Sequence, residues 1–260
     1  MTHTVNELVQ AMETIAPLRL AESWDNVGLL VGDPAAPLTR VLFCIDYTDE
    51  VADEADAVGA SAVVAYHPPI FKGLTRLVSG TPVVRAVARG LAIYAPHTAL
   101  DVALGGTNDV LADLLGLVDR APIQPHPSGG GLGMGRIGDR ASVSVGALCE
   151  TVARGLGVAH LLVAGPREGQ VTRAAVGAGS CGGLFVDAAK LGATFFLTGE
   201  IRHHDALAAA RLGLTVVAAL HSNSERIALR SLAERVSRAL PGVACLESAR
   251  DQDPLRVIAL

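Results

Sequence analysis

Short aliphatic runs alternate with segments of helical spacing along almost the whole chain. A first helix is expected from about Val5 to Ile15, opened by Thr4 and Glu7, which stand three apart as a capping box. WDNVGLLVGDP is irregular and closes on a Gly-Asp-Pro turn. RVLFCID, from Arg40 to Asp46, is an apolar run bounded by turn residues and reads as a buried strand. Helical spacing returns in DEVADEADAVG, with Gly59 as its stop. SAVVAYH and LAIYAPH are further strands, separated by a helix that Thr81 and Pro82 open. TNDVLADLLG is a capped helix ending at Gly116. This βαβα order predicts an α/β fold with largely parallel strands covered by helices.

The rhythm breaks after Val118. DRAPIQPHPSGGGLG is rich in Pro and Gly and reads as a linker. Alternation then resumes. RASVSVG, HLLVAG, TRAAVGAG, ATFFLTG and LTVVAAL read as strands. ALCETVARGLG, FVDAAKLG, HDALAAARLG and SNSERIALRSLAERVSRAL read as helices. The expected organisation is a first α/β lobe over residues 1–122, a linker over 123–133 and a second α/β lobe over 134–260. The C-terminal segment of the second lobe is free to pack back on the first.

The two halves repeat one pattern. Gly59 starts a strand that reaches His67 eight positions on, and Gly192 starts one that reaches Glu200 eight positions on. A helix follows each. Then come LAIYAPHTALD and LTVVAALHSNSE, each a strand ending in His with a carboxylate four residues later: His97 and Asp101, His221 and Glu225. Two copies of one βαβ unit would each put polar groups at the carboxyl edge of a sheet, where open α/β sheets bind ligands.

Composition removes several function classes. The 260 residues are 50% hydrophobic but only 3% aromatic, with a mean hydropathy of +0.40. No apolar run approaches the ~18 residues of a membrane span. The start, MTHTVNELVQ, shows no secretory pattern, so a cytoplasmic location is expected. A net charge of −5 argues against nucleic acid as a partner. The four cysteines form no CxxC pair, which argues against a disulfide framework or a cysteine zinc site. Gly133, Gly135 and Gly138 fit G-x-G-x-x-G but lead into a strand, so no helix terminus is offered to a pyrophosphate.

The candidate chemistry lies in imidazoles and carboxylates. His67, His97, His203, His204 and His221, with Asp101, Glu200 and Glu225, fall at predicted strand ends or just beyond. Such a mixed set suits zinc, iron, manganese or nickel, and several groups together would suit a two-metal site. Each residue also has a plain structural reading. His67 precedes Pro68-Pro69 and would end a strand before a rigid turn. Asp101 could cap a turn. Ser222 and Glu225 fit a capping box of the last long helix. Cys181 in GSCGG reads as a small buried residue rather than a nucleophile.

The segments WDNVGLLVG, YHPPIF, PHTALDVALGGTNDVLA, GLGMGRIG, LTGEIRHHDAL and HSNSE, in this order, resemble the Nif-three-like family, also labelled GTP cyclohydrolase type 2 homologues. The resemblance implies two related lobes, each a mixed, largely parallel sheet flanked by helices, with a dinuclear metal site in the cleft between them. It also implies a toroidal homohexamer. Carried over by position, His67 and Asp101 match ligands of one divalent metal, His221 matches a ligand of the other, and Glu225 matches the bridging carboxylate. His97 and Glu200 match cleft residues that would contact substrate or transfer a proton; His203 matches a third such position. This chain departs from the family pattern twice. Tyr66 stands where many members have a ligating His, and a phenol, pKa ~10, is a poorer ligand at neutral pH. Leu220 stands where Gly usually precedes the last His. The implied activity is a metal-dependent hydrolase of a small molecule, with GTP ring opening as the labelled reaction. The alternative is a metal- or metabolite-binding ring protein without catalysis.

Overall fold

A computed structural model gives the structure and describes residues 3–258. It divides into two compact units. One takes the described residues up to Ala103 together with Leu229–Asp251, the other Leu104–Ala228 and the described residues from Gln252 on.

The first unit is built on a five-stranded sheet, in the order Ala244–Glu247, Arg40–Cys44, Ala62–Ala65, Ala92–Ala95 and Gly28–Val31. The first four strands are parallel and the last is antiparallel. Val41 to Cys44 and Ala62 to Ala65 are buried on both faces, which is why they read as unbroken apolar runs. Leu42, Cys44, Val63 and Ile93 pack against Val51, Ala55 and Ala86 of the helices Asp49–Ala57 and Pro82–Arg89. The helix Val5–Ile15 has the expected bounds and its capping box, the Thr4 N–H donating to Glu7 Oε2 at 2.8 Å. A cap of this kind contributes ~1 kcal/mol.

The second unit carries a six-stranded sheet, in the order Leu162–Ala164, Thr215–Ala218, Phe195–Glu200, Gln170–Ser180, Arg136–Ser144 and Val118–Ala121. The three strands Gln170–Ser180, Phe195–Glu200 and Thr215–Ala218 are parallel, and the others are antiparallel to their neighbours. Strand alternation divides its core. Phe195 and Leu197 pack with Leu111 and Leu148 on one face, while Phe196 packs with Leu184, Phe185 and Ala209 on the other.

Each unit therefore holds three successive parallel strands, joined through helices, with an earlier strand added antiparallel beside the third. The repeat read from residue spacing is a repeat of topology. In the first unit the parallel strands deliver Asp46, His67 and His97 at their carboxyl ends. In the second they deliver Gly179, Glu200 and His221.

Residues 123–133, expected as a linker, lie inside the second unit. Gln124 and Pro125 pair with Met134 and Gly133 as a short hairpin, closed by the His126 N–H on the Leu132 carbonyl at 2.9 Å. Gly, Pro and Ser serve tight turns as well as linkers, so composition alone does not distinguish them. This hairpin frames Arg136, whose side chain is 2% exposed. Its Nε and Nη2 donate to the two Asp109 carboxylate oxygens at 2.7 and 3.1 Å. Its Nη1 donates to the carbonyls of Gly133 and Gly135 at 2.6 and 2.8 Å. No helix among the described residues is long and apolar enough to cross a membrane.

Candidate functional site

In the first unit the proposed ligands and their neighbours share one sheet edge. His67 is the second residue beyond strand Ala62–Ala65, and its Nδ1 lies 3.0 Å from Asp46 Oδ1. That contact holds the ring through Nδ1, as a carboxylate holds many metal-bound imidazoles. Asp101 belongs to the short helix His97–Val102 and is 9% exposed. It accepts a short hydrogen bond from the hydroxyl of Tyr66, which is fully buried. The phenol thus orients the carboxylate. His97 opens the same helix with φ +33, a conformation a non-glycine residue rarely holds, and such strain gathers at functional sites. Its Nδ1 lies 2.8 Å from Asp25 Oδ1. Burial pushes the Asp25 carboxyl up, but hydrogen bonds from His97 and Thr98 more than offset this and hold it below the usual range. The His67 and His97 rings are 5.3 Å apart and meet edge to face.

In the second unit, His221 and Glu225 sit one turn apart on helix His221–Ala239, with His221 Nε2 and Glu225 Oε1 separated by 3.2 Å. Glu225 is 3% exposed. Glu200, exposed at the end of its strand, approaches the other ring nitrogen, Oε1 to Nδ1 at 3.3 Å. Two glycines make room for this pair. A Cβ at Gly179, which has φ +60, would collide with Glu225 Oε1 and come within 3.1 Å of His221 Nε2. A Cβ at Gly199 would come within 2.7 Å of the Gly179 carbonyl and Ser224 Oγ, and 2.9 Å of His221 Cα. Ser224 locks the arrangement, its Oγ accepting from the Gly179 N–H and donating to the His221 carbonyl, both at 2.8 Å.

The Ser222–Glu225 capping box does not form. The helix starts at His221, and both the N–H and the hydroxyl of Ser222 donate to Asp253, at 3.2 and 2.8 Å. Asp253 is the acceptor for both Ser222 donors. His203 and His204, both exposed, open the helix His203–Arg211 with their rings 5.2 Å apart. Residue spacing does not single out Asp46, Asp25 or Gly179. The carboxyl-edge rule would have flagged Asp46, which follows the neighbouring parallel strand just as His67 does.

Leu220 has φ +71, the left-handed region that a glycine would occupy freely. Holding a leucine there costs ~1–2 kcal/mol. Leu220→Gly is therefore expected to be more stable to denaturant unfolding than Leu220→Ala by about 1 kcal/mol, the reverse of the usual order. An alanine variant equal to or more stable than the glycine variant would refute the strain.

These features define the class: a duplicated α/β protein with imidazoles and carboxylates presented at the carboxyl edge of each parallel sheet. The model of the family Duf34/NIF3 (NGG1p interacting factor 3) matches residues 3–254, and the chain belongs to that family. A Clostridium perfringens protein named GTP cyclohydrolase 1 type 2 homolog is 30% identical over 265 residues, covering 98% of this chain and 99% of that one. Protein NIF3 homolog of Schizosaccharomyces pombe is 31% identical over 271 residues, with 96% of each chain covered. A solved Bacillus cereus protein related to NIF3 shares the fold, with a TM-score of 0.92 at 23% identity over 98% of this chain and 99% of that one.

Proposed function

We propose that the protein is a metal-dependent hydrolase of a small molecule, with His67, Asp101, His221 and Glu225 as the ligands of its metal centre. His67, His221 and Glu225 each offer one ligand atom, two imidazoles and a carboxylate. That donor chemistry fits zinc, iron, manganese or nickel. The observation that carries the reading is the cradle in the second unit. An imidazole nitrogen and a carboxylate oxygen, 3.2 Å apart, face Gly179, where any Cβ would fill the space they share.

A divalent cation held there supplies Lewis acidity and lowers the pKa of a water. The remaining work belongs to the protein. Asp46 and Glu200 hold the His67 and His221 rings through Nδ1. Tyr66 aims the Asp101 carboxylate. His97, anchored by Asp25 at Nδ1, has Nε2 with which to carry a proton to or from the reacting group. Glu200 is the second proton carrier, since it is the exposed carboxylate of the set.

A second reading rests on Tyr66. Its hydroxyl is committed to Asp101, so it supports a ligand without adding one. A centre with fewer ligands suits a ring-forming protein that holds a metal or metabolite without turnover. One experiment separates the two. Wild type and Glu225→Ala are titrated calorimetrically with Zn²⁺, Mn²⁺ and Fe²⁺, then assayed with GTP, other nucleotides and phosphoesters. Stoichiometric binding, weakened about 100-fold or more by the substitution, together with turnover lost in the variant, is the expected result. Binding without turnover of any substrate supports the second reading. Equal turnover by wild type and variant defeats the first.

A further inference from the structure

Every Tyr, and every Phe but one, is less than 9% exposed, as expected of a protein with so few aromatic residues. The exceptions are Phe71, 46% exposed, and Trp24, 59% exposed and the chain's single tryptophan. They stand together, with ring centroids 5.9 Å apart and planes inclined by 51°. Both flank His97, at 6.1 and 6.5 Å between centroids. Leaving two large rings in water forgoes the stabilisation that burial would bring, so their adjacency beside the proposed proton carrier calls for a reason.

The residues around the pair hold it in place before any ligand arrives. Trp24, Asp25 and Asn26 are consecutive, and each does a different thing. Trp24 offers a ring face. Asp25, whose side chain is wholly buried, accepts from His97 Nδ1 at 2.8 Å and from the Thr98 N–H at 3.2 Å. Asn26 donates through Nδ2 to the carbonyl of Ile70, the residue before Phe71. The Glu22 N–H adds a bond to Thr98 Oγ1 at 3.0 Å. One short segment thus fixes the His97 imidazole and the backbone that carries Trp24 and Phe71. A backbone ordered in advance under both rings spares a ligand part of the ordering cost on binding.

We infer that Trp24 and Phe71 form an aromatic clamp in which Phe71 braces the Trp24 ring from the side and the exposed face of Trp24 stacks on a planar nitrogen heterocycle, which places the ligand's reacting group beside His97. The inference deepens the hydrolase reading, on which it rests for the role of His97, and it names the substrate class: small molecules with a flat heteroaromatic ring. Stacking uses a ring face, which all bases share, so the clamp selects for planarity and is not specific to guanine.

The test uses the full chain and the fluorescence of Trp24, which has no other tryptophan to mask it. Guanosine, GTP, cytidine, a pterin and nicotinamide are titrated, with ribose 5-phosphate and inorganic triphosphate as controls that lack an aromatic ring, and calorimetry checks each affinity. At least one ring compound is expected to quench Trp24 and to bind about tenfold or more tightly than the controls. Trp24→Ala and Phe71→Ala are expected to weaken that binding about tenfold each, with Trp24→Phe retaining most of it. Zn²⁺ titrated alone should bind both alanine variants as it binds wild type. Controls that bind as well as the ring compounds, failure of every ring compound to bind, or unchanged affinity in Trp24→Ala would overturn the clamp. So would sedimentation showing that Trp24→Ala dissociates an oligomer while ring binding is unaffected, which would make the patch a contact between copies of this chain. Metal bound without any heterocycle sinks the clamp alone. A heterocycle bound without any metal sinks the hydrolase reading alone.

Discussion

Replacing Asp109 by alanine is expected to lower the stability of the second unit by about 3–5 kcal/mol. The carboxylate receives two donors of the Arg136 guanidinium in a fork, at 2.7 and 3.1 Å, and Arg136 is 2% exposed. Forked charge-assisted bonds of this kind are roughly twice as strong as neutral ones. Without Asp109 a buried cation keeps the carbonyls of Gly133 and Gly135 but loses its counter-charge. Asp109 also accepts the Gly105 N–H at 2.7 Å and lies in the first turn of helix Thr107–Leu114, where a negative charge is favourable. Denaturant unfolding checks the size of the loss. Asp109→Asn should fall between wild type and Asp109→Ala, because the amide keeps one acceptor. Adding Arg136→Met to Asp109→Ala should recover a large part of the loss, since it removes the buried charge itself. A midpoint for Asp109→Ala within 1 kcal/mol of wild type would show that the pair does not support the hairpin.

Gly179→Ala is expected to weaken metal binding about 100-fold or more at modest cost to folding. The new methyl enters the space shared by Glu225 Oε1 and His221 Nε2, and φ +60 adds ~1 kcal/mol or more of backbone strain. Both colliding atoms are the ends of side chains, which can swing away. The protein should therefore fold, with a loss of about 1–3 kcal/mol, while the displaced ligands lose Zn²⁺ affinity by about 100-fold or more. Gly199→Ala makes a telling comparison. Its methyl meets a carbonyl oxygen and a Cα, which cannot swing, so its cost falls mainly on stability. Calorimetric titration with Zn²⁺ beside thermal unfolding reads both variants. Full-affinity binding by a folded Gly179→Ala protein would remove the cradle from the case for the metal centre.

Much of the architecture was legible before any coordinates. The strands Arg40–Cys44, Ala62–Ala65 and Ala92–Ala95 announce themselves as apolar runs, because both faces of a parallel sheet are covered. The helix Val5–Ile15 announces itself by spacing and by its cap. Segments whose partners are distant were less visible. Gly28–Val31 reads as irregular chain, yet it is a strand because Ala92–Ala95 offers it an edge. The C-terminal strand Ala244–Glu247, short and largely exposed, has no strong pattern of its own and exists through its pairing with Arg40–Cys44.

By itself the sequence determined the alternation of elements, the duplication, the family and the His and carboxylate residues worth testing. All of these are written in local period, in spacing or in motif. Only the tertiary structure decided which polar group serves which. Asp46 holds His67 from 21 residues away, Asp25 holds His97 from 72, and Asp109 meets Arg136 across 27. It also decided that residues 123–133 turn back as a hairpin, and that Gly179 is the floor of the His221 and Glu225 pair. The reason is physical. Periodicity records which face of an element is buried, whereas a hydrogen bond between distant residues depends on where two separate backbones end, and no local pattern encodes that.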